Sequence, residues 1–198
     1  ISNLTNADYD VQAQQMEEIA RISLDNPENA VPYIVREVFS SLIDITKKDT
    51  ANLAAPTDEQ VQARKKLISN FIVMENAKQG QGQVKLPYQL TEKDFALANE
   101  LSPMEQAERN KEYALYTISI LAKIYTDEVE KQTGNIVPLT DLPGSAAIVD
   151  ALRFNPNSGV KIAAIDALRH IQRPEYKEEL TTLYTPVSYT HLRAHETS

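Results

Sequence analysis

Apolar residues recur along this chain at the three- and four-residue spacing of helices, and two stretches show the pattern in the same form. In the first, Val11, Met16, Ile19 and Ile22 follow one another at intervals of 5, 3 and 3 after a polar cluster at residues 6–10. In the second, Val160, Ile165, Leu168 and Ile171 repeat those intervals after Asn155, Pro156, Asn157, Ser158 and Gly159, with Ala163, Ala164 and Ala167 between them. Each predicts a helix with an apolar stripe on one face. A proline turn then breaks each helix, at 25–28 and at 172–176, and the helical pattern restarts. The first restart covers 30–46, with Ile34, Val38, Leu42 and Ile45 on one face and Pro32 in the first turn, where its missing N–H does no harm. The second covers 177–184, with Leu180 and Leu183 one turn apart. Two copies of one helix–turn–helix unit, about 150 residues apart, point to a repeat protein.

The middle, residues 50–135, is less regular. Thr57 with Gln60, Thr91 with Asp94 and Ser102 with Glu105 read as three capping boxes, each opening a helix. The first helix extends to Lys78, with Val61, Leu67, Ile68, Phe71 and Ile72 on its expected apolar face. Leu90 and Phe95 are placed as a hydrophobic staple around the second box. Pro103 suits the first position of the third helix, which is expected to reach Gln132 and to stop at Gly134. Between Tyr113 and Tyr125 that helix is apolar on most sides, which predicts neighbours flanking it. Gly80 and Gly82 lie in a Gln-rich break at 79–83.

The run Val160, Lys161, Ile162, Ala163, Ala164, Ile165, Asp166, Ala167, Leu168, entered from the Asn155–Pro156 turn, resembles a HEAT repeat of the short bacterial kind. The resemblance is good over 148–183, fair over 6–45 and poor over 50–135. It implies an all-α fold, an armadillo-type α-solenoid of antiparallel helix pairs, whose surface serves as a scaffold or adaptor. It implies neither a ligand nor catalytic residues. On this reading residues 1–185 form the repeat region, clearest at 6–46 and 145–184, and the chain is a fragment of a longer one.

Composition narrows the chemistry. The net charge of −8 disfavours phosphate backbones and anionic lipid. With no Cys, disulfides, thiolate nucleophiles and Cys-ligated zinc are excluded. No apolar run approaches the roughly 18 residues of a membrane span. The compartment stays open, with the cytoplasm favoured. Neither a nucleophile elbow nor a phosphate-cradling glycine loop is present in the sequence. Glu105, Glu108 and Glu112 share one helix face, but no Glu-x-x-His motif accompanies them, so a solvated face is expected. His170 closes a helix, where its protonated form would favour the dipole. Arg153 and Arg169 follow Asp150 and Asp166 at i+3, which suits local ion pairs.

The last residues stand apart. Residues 187–197 resemble the conceptual translation of a transposase-type sequencing adapter, and 186–198 are expected to be a translation artefact. His191 and His195, spaced i, i+4 beside Glu196, could otherwise suggest a metal pair and are set aside with it.

The expected function is therefore a non-catalytic protein–protein interaction scaffold with no catalytic, cofactor or metal residues. Its partner is a protein or peptide, and the exposed stripes at the chain's ends would allow self-association. Arg153, Lys161, Arg169 and His170 are the candidate partner contacts near the clearest repeat. Tyr113 and Tyr116 join them because tyrosine offers apolar area with a polar tip. A core position with a wet hydroxyl is the preferred reading for those tyrosines and for Tyr125. The alternatives are an accessory module of a modifying enzyme of lyase or hydroxylase type, a nucleic-acid-binding repeat protein, and a non-repeat helical bundle.

Overall fold

Asp8 accepts hydrogen bonds from the backbone N–H groups of Asp10 and Val11 at 2.8 and 3.2 Å, and the first long helix, α1 (Tyr9–Asp25), begins there. The chain is described here from a computed structural model covering residues 2–33, 38–78 and 85–184, side chains of 2, 32, 33, 183 and 184 apart. After α1 come α2 (Pro27–Tyr33), α3 (Phe39–Lys47), α4 (Asp58–Lys78), α5 (Glu92–Asn99), α6 (Pro103–Thr133), α7 (Ser145–Phe154), α8 (Ser158–Ile171) and α9 (Lys177–Tyr184). Short three-ten turns lie at Ser2–Thr5, Leu139–Asp141 and Pro174–Tyr176. Among the described residues every regular element is helical. Ile34, Leu183, His191 and His195 fall outside the described side chains.

Two compact units divide the chain: residues 1–48 with 109–198, and residues 49–108. In the larger unit α6 is the central element, as its apolar girth predicts. Ala114, Leu115, Ile118, Leu121 and Ala122 are fully buried, and burying a Leu or Ile side chain stabilises by about 1.5–3 kcal/mol. Thr117 and Ser119 are buried too, and their hydroxyls donate back to the carbonyls of Tyr113 (2.8 Å) and Tyr116 (2.7 Å). Such back-bonding satisfies the hydroxyls within their own helix, so α6 can be covered on several sides.

Side-chain bonds give the direction of the neighbours. Asn110 Nδ2 donates to the Tyr9 carbonyl and to Gln12 Oε1, both at 2.8 Å, while at the far end Lys131 meets Glu28 at 3.4 Å. Thus α1 runs parallel to α6. Gly159 lies against Glu112, and Arg173 bonds to Asp127 (3.3 Å) and Glu130, so α8 also runs parallel to α6. Gly144, just before α7, packs against Ile118 and Phe39, whereas Phe154 and Asn155 at the other end of α7 share a cleft with Lys111, Thr46 and Lys47. Helices α3 and α7 therefore pack together and run opposite to α6. Tyr176, 1% exposed, donates its hydroxyl to the Val137 carbonyl at 2.6 Å and seats the start of α9.

The smaller unit is held largely by polar bridges. All three capping boxes form: Thr57 and Gln60, Thr91 and Asp94, and Ser102 and Glu105 each bond reciprocally through side chain and backbone. Arg64 reaches both carboxylate oxygens of Glu105 (2.5 and 3.0 Å) and the carbonyls of Ala98 and Glu100. Burial works against the Glu105 carboxylate, but the bonds from Arg64 and Ser102 outweigh it and hold its pKa below the ordinary value. Buried Asn70 pins Tyr88 in both directions, donating to its carbonyl at 2.8 Å and accepting from its N–H at 3.1 Å.

Asp94 carries the clearest pH dependence. The Lys66 ammonium at 2.8 Å, with the Thr91 N–H and hydroxyl, lowers its pKa from 3.8 to about 2. A folded value below the unfolded one means that the stabilisation is fully present above about pH 4 and is lost as pH falls through about 2. Protection of the amides at the start of α5 against exchange, relative to their intrinsic rates, is expected to fall over that window, and Asp94→Asn to flatten the response. An unchanged acid limb in the variant would show that another group governs it.

Several expected faces are corrected. The buried side of α1 runs through Gln12, Ala13, Met16, Ala20 and Ser23, and Ile22 is 47% exposed. Gln12 displaces the stripe because its side chain is engaged by Leu4 and Asn110. The helix expected from Ala30 already begins at Pro27 as α2, so its first-turn proline is Pro27 rather than Pro32. On α4, the expected apolar face is largely outside: Ile68, Phe71 and Ile72 are exposed, while Gln60, Ala63 and Asn70 face inward. Hydrogen-bond partners on the inner side select those polar residues. The expected solvated face of α6 is likewise not solvated at its start. Glu105 is bound by Arg64, and Glu108 is 8% exposed and accepts from the Thr50 hydroxyl.

Candidate functional site

The sequence-predicted contact residues separate into two places and several isolated positions. On α6 most positions from Ala114 to Ala122 are buried, yet Tyr113 and Tyr116 are 45% and 58% exposed. The preferred core reading of these two tyrosines is therefore corrected, while Tyr125 is half-buried. Both line a groove of about 520 Å³ between α1 and α6, together with Asp10, Ala13, Gln14, Glu17, Arg109 and Thr117. Parallel packing produces the groove. Ala13, buried on α1, lines the groove, and its small side chain leaves room there.

One end of the groove is already organised. Arg109 bonds to Asp10 at 2.9 Å and to the Asn110 side chain at 3.2 and 3.3 Å, and its guanidinium sits over the Tyr113 ring at 5.8 Å from the centroid. Carboxylate, guanidinium and aromatic ring thereby fix one another's orientation. Neither Arg109 nor Asp10 stood out in the sequence, since their partners lie about 99 residues away. The two tyrosines, marked by residue type, were the only signal.

The second place is the end of α8. His170 stands beside Lys123 and Asp127 of α6. Burial lowers its pKa and the Lys123 charge adds to that, with Asp127 opposing. The imidazole therefore stays neutral to a lower pH than a free one. Arg173, three residues on, is the stronger cation here. The Glu130 hydrogen bond, aided by Asp127 and Glu175, raises its pKa further. These bonds make it a latch between α8 and α6.

The remaining candidates do not gather around either place. Arg169 is exposed and meets Asp166 at 3.5 Å, as its spacing predicts. Lys161 is half-buried in the first turn of α8, nine positions before His170 and so on the opposite side of that helix. Arg153 is exposed on α7 beside the exposed Phe154. Among the described residues no three His, Asp or Glu side chains converge on a metal position, and no helix is long and apolar enough to cross a membrane. No known family, curated protein or solved structure matches this chain.

Proposed function

We propose that this chain is a non-catalytic scaffold of helical-repeat type, and that the groove between α1 and α6 receives a peptide segment of a partner protein. The observation that carries the reading is the exposure of Tyr113 and Tyr116 beside Arg109, where α6 is otherwise buried from Ala114 to Ala122. Tyrosine and arginine in a concave site are among the residue types that dominate protein-binding energy. The solenoid reading is supported by helix direction. Helices α1, α6 and α8 run one way and α3 and α7 the other, as two layers of stacked helix pairs would.

Selection of a displayed random-peptide library on the purified protein tests the function. Enriched peptides are expected to compete with one another, and Tyr116→Ala is expected to weaken them about tenfold or more. Because Tyr116 is exposed, its removal leaves the fold intact, so unchanged binding in the variant would overturn the groove as the site. Failure to enrich any peptide would overturn the scaffold reading.

A further inference from the structure

At one end of the groove a cation sits with a carboxylate and an aromatic ring, and the same pair of groups recurs further along it. At that end, Asp10, Arg109 and Tyr113 form a carboxylate–guanidinium–aromatic set with distances of 2.9 Å and 5.8 Å. The parallel register that pairs Asp10 with Arg109 and Gln12 with Asn110 carries Glu17 to the level of Leu115 and Tyr116. Glu17 and Tyr116 both line the groove and both are exposed. Here again a carboxylate and an aromatic ring border one cleft, but among the described residues Glu17 has no cationic partner. The chain's own cations nearby are engaged elsewhere: Arg21 with Asp25 at 3.4 Å and Lys123 with Asp127 at 3.2 Å.

We infer that the space between Glu17 and Tyr116 receives an arginine side chain of the bound peptide. The inference deepens the scaffold reading and rests on it. A guanidinium can stack on a ring and bond a carboxylate at the same time, as Arg109 does one site away. The net charge of −8 draws a basic segment towards the chain and repels an acidic one.

The test is an amide-resolved NMR titration with three peptides on one Gly/Ser frame, carrying arginine, citrulline or glutamate at the central position. Citrulline keeps the shape of arginine and lacks its charge. The arginine peptide is expected to move the amides of 13–17 and 113–117, with citrulline about threefold to tenfold weaker and glutamate weaker still. In Glu17→Gln the advantage of arginine over citrulline is expected to vanish, and Tyr116→Ala is expected to weaken the arginine peptide. Equal binding of arginine and citrulline, or an advantage that survives Glu17→Gln, overturns the inference. If library-selected peptides occupy the groove without any basic residue, the arginine site falls and the scaffold reading stands. If no selected peptide moves the groove amides, the scaffold reading falls and takes the arginine site with it.

Discussion

Gly144→Ala is expected to destabilise the protein by about 3 kcal/mol, the largest effect foreseen for any single small substitution here. Gly144 has φ +78°, a left-handed conformation that costs an L-residue roughly 1–2 kcal/mol. The added methyl would also fall well inside van der Waals contact of Ile118 Cγ2, with Phe39 ring carbons at 3.5 Å. Ile118 is fully buried on α6 and is β-branched, so it has essentially one helical rotamer and cannot turn aside. Overpacking of that kind costs about 1–3 kcal/mol more. For a chain of this size the sum is a fall in Tm of roughly 6–12 °C, measured by calorimetry. Gly134→Ala is the control. Its φ of +71° carries the same backbone cost, but open space surrounds the new Cβ, so its loss is expected to be about a third to a half as large. Equal losses at both positions would show that the contact with Ile118 is not what makes Gly144 necessary.

Asn110→Leu is expected to cost about 2–3 kcal/mol although leucine keeps the same branched side-chain frame. Asn110 is fully buried, and its amide donates to Gln12 Oε1 and the Tyr9 carbonyl, while Gln12 Nε2 donates to the carbonyl of buried Leu4 at 2.7 Å. This chain of bonds ties the N-terminal turn and α1 to α6. Leucine would leave Gln12 Oε1 buried without a donor, and the penalty for an orphaned polar atom exceeds the net worth of the bond that was there. Adding Gln12→Leu removes the orphan, so the double variant is expected to lose less than the two single losses combined. Amide exchange of α1 is the sensitive readout, because α1 should open before α6. Strict additivity in denaturant unfolding would mean that the two side chains act independently.

The candidate site was legible in part. Tyr113 and Tyr116 were marked by type and position, but their exposure was not foreseen, because α6 is apolar enough to suggest enclosure on most sides. Arg109, Asp10 and Glu17 were illegible for a different reason. Charged residues on amphipathic helices are ordinarily solvated, and only the register of α1 against α6 turns these three towards a shared groove.

What the amino-acid sequence determined by itself is the set of helices and most of their ends. Asp8, Thr57, Thr91, Ser102 and Asn157 accept from N–H groups two or three residues ahead, Pro103 opens α6, and Gly134 stops it with φ +71°. Such interactions span no more than four residues, so nothing distant can reassign them. The tertiary structure alone decided which side of each helix is covered. On α1 it chose Gln12 over Ile22, on α4 it chose Asn70 over Phe71, and at the start of α6 it drew Glu105 and Glu108 inward to Arg64 and Thr50. The reason is physical. A buried polar side chain is favourable only where its partner stands, and Gln12, Asn70, Glu105 and Glu108 each have a partner 18 to 98 residues away along the chain.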